Sequence, residues 1–544
     1  LHDFTLPGTS DLGVSPQYQY PSPSVNASAF DWYDLVAQDA ISHLQKNSLS
    51  FGGQSWNIEA HTLSRRQSPE PQLTLDYTAP IDPVSSEYDS LSVDGSGPRE
   101  ALRKQPSYPW NSQEKIVLSM EERTYLQYYV STVGPILDLV DPTKQFSNTV
   151  THLAMYNAGL LKSVIAIAAR HMALHELGPP VPPAAGTPQD PEASDHGGSK
   201  TLFVATQYYY ETLQYLSQNL LHSSYSSSPE IVATALLISM YEMFDASRTD
   251  GNGNWERHLR GGFWIQRCQD SNGEKGDRLR RACWWLWVRQ DIWAALREGR
   301  RSLTIFRPIK ALNDLSDDEL ATRIIFLAAR CVDYAAEAAA ECRVDVNKCI
   351  AHGDRLLQEL DRWYRRLSVS FHPIPTAISS FSVQFDTQPP QGSISSAAQD
   401  VTSVFTPLWI HPPAYAAAIQ MFHFSRIIVL LNQPTTGGRN MYLKRQKLLD
   451  ESADTICGIA ISKQGEELPS ALVNSQALFC GMLSSPHPCW HLSANFTFTT
   501  AGLCIQSPER KEALLKILEK SLSISKVPHM SLVDDLKRIW DGDG

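Results

Sequence analysis

The chain is short of paired cysteines: its nine, scattered from Cys268 to Cys504, include no C-x-x-C pair. That pattern argues against a zinc site and against a disulfide framework, and leaves reduced core cysteines of an intracellular protein as the expectation. Positive charge is short as well, with 47 Lys and Arg against 58 Asp and Glu over 544 residues and a formal net charge of −11. Polyphosphate would repel such a chain as a whole, so DNA contact needs a local patch or residues outside this sequence. There is no phosphate-binding glycine loop, no strand-then-glycine dinucleotide fingerprint and no G-x-S-x-G elbow, so nothing points to an active site. No apolar run approaches the roughly 18 to 20 residues that span a bilayer, and no membrane partner is expected. The opening "LHDFTLPGTSDLG" lacks a signal peptide's charged and apolar regions and an initiator methionine, so a fragment, or a gene model that starts late, is expected.

Strictly alternating β-branched runs are nearly absent too, and what remains is helical periodicity. Residues 1–113, rich in Ser, Pro, Tyr and Gln, bury too little apolar area to offset the entropy of ordering and read as disordered. One island inside them, residues 30–44, interleaves Phe30, Trp32, Tyr33 and Leu35 with Asp31, Asp34 and Asp39. Acidic-hydrophobic segments of this kind fold onto a partner's groove, which makes those four apolar residues candidate coactivator contacts. From 114 the helices begin, with a stop expected at Gly134-Pro135 and an N-cap at Ser228 before Pro229. Later helices are placed at about 317–345, 347–367, 413–432, 443–463, 472–482 and 508–523, with a linker or long loop at 368–400. The fold class is all-α: a large multi-helix domain over 114–367 and 401–544, preceded by the disordered region.

The stretch "RRACWWLWVRQDIWAALREGRR", 280–301, is apolar nearly all round when wound on a helix, so its tryptophans read as core rather than as a base-stacking platform. Arg289 would then need an acid, Asp291 or a residue on another helix. Trp255, His258, Trp264 and Trp287 either line a cavity or fill the core, and core filling is the expectation. His171 and His175 stand four apart, but Glu176 is misplaced for either zinc-protease pattern, and a polar rim is expected. The Asp250 segment starts like a calcium loop, yet Trp255 and Gly261 occupy positions that require glycine and glutamate. Asp314, Asp317, Asp318 and Glu319 imitate the aspartate-rich magnesium motif of an all-α prenyl-transferring enzyme, which is the alternative function. A capping box from Ser316 to Glu319 is the simpler account.

Taken in order, "YLQYYVSTVGPILDLVDPTKQFSNTVTHLAMYNAGLLKSVIAIAARHMAL", "EIVATALLISMYEMFD", "NWERHLRGGFWIQR" and the tryptophan stretch resemble the fungal-specific transcription factor domain, the middle homology region of zinc-cluster regulators. "LLQELDRWYRRLSVSFHPI", "FTPLWIHPPAYAAAIQMFHFSRIIVLLNQP" and "LVDDLKRIWDGDG" resemble its second half. The resemblance implies a non-enzymatic, all-α regulatory domain of a nuclear transcription factor, acting through a small-molecule effector, coregulators or homodimerisation. It also implies a six-cysteine zinc cluster that reads DNA. No such cluster stands in these residues, so zinc and DNA contact are expected only if one lies upstream of Leu1, and no cofactor is expected in the chain itself.

Overall fold

The computed structural model describes residues 110–176, 196–219, 228–245, 255–268, 273–304, 306–375, 401, 404–434, 438–462, 467–482, 507–526 and 533. Among them there is no strand. The candidate coactivator contacts Phe30, Trp32, Tyr33 and Leu35 lie outside the described residues, as do residues 250–254 at the start of the Asp250 segment.

Helix α1, Met120–Tyr128, starts at a capping box: Glu122 N donates to Ser119 Oγ at 3.2 Å and Ser119 N to Glu122 Oε2 at 2.7 Å. The stop expected at Gly134-Pro135 does not occur. A π-helical turn, Tyr129–Val133, leads into α2, Gly134–Leu137, and Gly134 N donates to Tyr129 O. The wider turn places Pro135 at the start of a new helical segment, where its missing N–H costs nothing. Asp138 then accepts from Phe146 N (2.7 Å), Ser147 N (2.7 Å) and Ser147 Oγ (2.6 Å), seeding a second π turn, Phe146–Val150, and α3, Thr151–Ala154.

Helices α4 (Ala158–Glu176), α5 (His196–Asn219) and α6 (Pro229–Asp245) form the first packed layer, with α4 against both others. Gly159 is what lets α4 approach α5, because a Cβ there would lie 2.1 Å from the Tyr215 ring. Ser228 caps α6 as its sequence predicts, accepting from Ile231 N at 3.4 Å. Helix α7, Trp255–Cys268, packs on α6, and α8, Arg278–Glu298, packs on both and on α9, Asp317–Val344.

Helix α9 is the hub of the second layer, touching α10 (Val346–Tyr364) and α11 (Pro413–Asn432). Helices α12 (Gly438–Ala460) and α13 (Leu468–Met482) pack on α11, α14 (Pro508–Ser525) on α13, and α13 returns to α2. Helices on both sides of the 368–400 segment thus share one core, and the Val369–Phe371 turn joins it, with Phe371 stacked on Tyr415 at 4.2 Å. Helix α11 has the length and apolarity of a membrane span, with mean hydropathy 1.5, and 78% of that window is buried inside the protein. His423 and Arg426 interrupt the apolar run. Both point into the core, where Arg426 binds Ser452 Oγ at 2.8 Å and Glu451 at 3.1 Å.

The tryptophan helix is core, as its all-round apolarity requires. Trp284, Trp285, Trp287 and Trp293 are all buried. Trp287 Nε1 donates to Leu259 O at 2.8 Å and Trp285 Nε1 to Gly273 O at 3.1 Å. Gly273 has no room for a side chain, since a Cβ would meet the Trp285 ring at 2.4 Å. Cysteines 283, 331 and 457 are free and buried, whereas Cys349 is in a disulfide, which departs from the all-reduced expectation.

Replacing Trp287 with Ala is expected to lower stability by roughly 3–5 kcal/mol in denaturant unfolding, the cost of a large core cavity. A second expectation concerns pH. Burial pushes the Asp138 carboxyl up from 3.8 to about 6 despite its three donors. Between those values the folded chain holds a proton that the unfolded chain has released, so this residue's contribution to stability falls as pH rises through the window. Asp138→Asn should flatten the stability-versus-pH curve there.

Candidate functional site

The first turns of α8 and α9 face the segment that follows α2 across a cleft of about 150 Å3. Its apolar floor comes from Leu137, Val140, Pro142, Ala282, Trp285 and Leu315, and its polar wall from Glu274, Lys310, Glu319 and Arg323. Arg278 and Arg281 complete the lining from α8.

Each acid in the cleft is already engaged. Glu274 binds Arg323 at 2.9 Å and accepts from Ile309 N at 2.7 Å and Lys310 N at 3.2 Å, which fixes the loop before α9. Glu319 pairs with Lys310 and closes the predicted capping box, with Ser316 N to Glu319 Oε2 at 3.0 Å and Glu319 N to Ser316 Oγ at 3.3 Å. Those bonds and the lysine hold the Glu319 carboxyl below its ordinary range in spite of desolvation. Asp141 accepts from Thr143 N (3.1 Å), Thr143 Oγ1 (2.7 Å) and Gln145 N (2.8 Å). Asp318 accepts from the Tyr415 hydroxyl at 3.0 Å, and its neighbour Asp317 from Ser368 Oγ at 2.7 Å. The aspartates that imitate a magnesium motif therefore tie α9 to the segment after α10 and to α11.

The arginines are the exception. Three of them, Arg278, Arg280 and Arg281, stand in the first turn of α8, the positive end of the helix, where cations are disfavoured. Asp277 caps the helix, accepting from Arg280 N at 2.8 Å, and pairs with the Arg280 guanidinium at 2.6 Å. Among the described residues, the side chains of Arg278, exposed, and Arg281, half-buried, have no hydrogen-bond or ion-pair partner. Two unpaired guanidiniums beside a helix N-terminus and an apolar floor suit a small organic acid. A cavity of this volume holds a body of about benzene's size.

Sequence reasoning missed this site because it took the arginines as end markers of a core helix. The signal was present in "DRLRRAC": three cations and one acid at the wrong pole of the helix dipole. Glu274 and Arg323, 49 residues apart, carried no sequence signal. Elsewhere the rim expected for the histidine pair holds only for His175. His171 is fully buried, donates to or accepts from the Tyr128 hydroxyl through Nδ1 at 2.9 Å, and is pushed down to about 3 by desolvation. Of the four residues read as core filling, Trp287 is core. The side chains of Trp255, His258 and Trp264 lie outside the described set. Arg289 does not pair with Asp291: residues two apart on a helix face apart, and Asp291 binds Arg300 at 3.0 Å instead.

No curated protein and no solved structure matches the chain. Residues 124–271, which run from α1 to just past α7, match the model of the family described as fungal specific transcription factor domain. The cleft sits at the edge of that stretch, with one wall inside it and the α8 and α9 walls beyond. The matched stretch, residues 124–271, is thus similar to a fungal specific transcription factor domain, which supports a role for the chain as a fungal transcriptional regulator.

Proposed function

We infer that this chain is the regulatory part of a nuclear, non-enzymatic transcription factor, and that its helical domain responds to a small organic acid held in the cleft between α8 and α9. The observation that carries the effector reading is the unpaired Arg278 and Arg281 over an apolar floor, within a chain that holds the matched domain. The acid would complete the charge balance at the N-terminus of α8 and draw its first turn toward that of α9. Because α9 packs on α8, α10 and α11, a shift there reaches the surfaces of both layers. Coregulators, and a second copy of the chain, would read that shift.

Under this reading the segment at 30–44 contacts a coactivator through Phe30, Trp32, Tyr33 and Leu35. Direct DNA recognition would need a zinc cluster that these 544 residues do not contain, consistent with the net charge of −11.

Two measurements test the proposal. Thermal unfolding of the full chain against a panel of four- to six-carbon mono- and dicarboxylic acids should show saturable stabilisation by at least one of them. The double variant Arg278→Ser/Arg281→Ser should weaken that acid's binding by about tenfold or more, for the loss of two charge-assisted contacts. It should also abolish the acid's effect on a reporter driven by the chain fused to a heterologous DNA-binding domain. No response in the wild type would overturn the effector reading. Separately, Asp317→Asn/Asp318→Asn should leave the reporter response in place and lower stability by about 1 kcal/mol. Magnesium-dependent diphosphate release from a prenyl diphosphate, lost in that variant, would overturn the non-enzymatic one.

A further inference from the structure

Arg289 is the anomaly of the core. It lies in the middle of α8, is 2% exposed, and none of its three guanidinium nitrogens has a hydrogen-bond partner. The acid two residues on, Asp291, is taken: Arg300 binds it at 3.0 Å and Leu303 N donates to it at 2.6 Å. Burial pushes the guanidinium down to about 10, which still leaves it charged at neutral pH. A cation held this way, with no counter-ion, is among the least favourable arrangements a core can contain.

The same side chain lines a void of about 10 Å3 where α8 meets α11 and α13. Ile292 and Trp293 of α8 and Met421 and Phe424 of α11 give the void an apolar wall. Gln476 of α13 lines it too, and its Nε2 is also buried without a partner. The unmatched groups of Arg289 and Gln476 are therefore all donors. A water molecule would satisfy one or two of them while bringing hydrogens of its own, whereas an acceptor-only, negatively charged occupant matches both the donors and the charge. The volume is close to the minimum for a single water, so an occupant of one to three heavy atoms enters only if the wall yields. Met421, unbranched and flexible, is the wall residue best able to yield to something slightly larger.

We propose that Arg289 and Gln476 form an internal site for one small anion, a halide or the carboxylate of a formate-sized acid, which ties α8 to α11 and α13. This site is separate from the cleft at the α8 N-terminus, and its failure or success leaves that reading untouched. Its consequence is regulatory: the junction between the first layer and the later helices is completed by an ion the chain does not itself supply.

The test is thermal unfolding of the full chain at fixed ionic strength in sodium chloride, sodium bromide, sodium formate and sodium gluconate, the last too large to enter. Chloride or formate should raise the wild-type Tm saturably above its gluconate value, by roughly 3 °C at a hundredfold excess over Kd. A response to halides alone assigns a halide, and a response to formate at lower concentration assigns a carboxylate. Arg289→Met should fold, unfold in gluconate at or above the wild-type Tm, and show no difference between anions. Should that variant fail to fold, Gln476→Leu decides: it should weaken the apparent anion affinity by roughly threefold to tenfold, for one lost hydrogen bond. A wild-type Tm that is the same in all four salts would overturn the proposal. So would an anion response kept by Arg289→Met, or one unchanged by Gln476→Leu.

Discussion

The ion pair between Asp291 and Arg300 holds the place where α8 passes the chain to α9. Asp291 is wholly buried, and desolvation raises its pKa, but Arg300 at 3.0 Å and the Leu303 amide at 2.6 Å oppose that rise. Asp333 on α9 adds a second anchor, accepting from Ser302 N at 2.7 Å and Ser302 Oγ at 2.9 Å. Gly299, in the left-handed conformation at φ 63°, ends α8 so that the chain can reverse toward both acids. With that reversal fixed, α9 lies along α8, and the other helices of the second layer follow from α9. A buried pair of this kind adds little net stability compared with an apolar pair, but losing either partner strands a charge, so it sets geometry more than it adds strength.

The same helix then has three unpaired arginines and one resolved pair. At its N-terminus Arg278 and Arg281 stand unpaired against the helix dipole, at the edge of solvent. In its middle Arg289 stands unpaired away from solvent. Solvent screens the first two, which makes them available to a ligand at small structural cost. The third is screened by nothing, so its demand for an anion is strong and its site correspondingly small. Near the C-terminus the charges close on one another, and the chain there is rigid connection rather than site.

Capping explains why the cleft has a fixed shape. Both helices that form its wall begin at side-chain caps, Asp277 for α8 and Ser316 with Glu319 for α9, and the acids that line it are spent on caps and loop amides. That leaves donors and cations facing the opening. Asp317 and Asp318, two of the aspartates that imitate a metal motif, belong to the same set of anchors, each accepting from a hydroxyl on a distant segment.

Helical periodicity, caps and all-round apolarity are local properties, and for that reason the sequence alone determined the all-α class, the ends of α6, α9 and α11, the burial of the tryptophans and the capping box at Ser316. It also carried the order of segments that the match at 124–271 identifies. The continuation of the helix past Gly134-Pro135 was not legible, because the π turn that accommodates the proline is a change of hydrogen-bond register rather than of composition. Nor was the disulfide state of Cys349, or the core position of His171. The partners of Asp291, Glu274 and Arg289 were beyond reach for one reason. A side chain's pairing depends on which helix is laid across it, and residues 9, 49 or more positions apart along the chain become neighbours only when the layers pack. Tertiary structure alone decided that two arginines would face a cleft, and that a third would be sealed against a glutamine and an empty space.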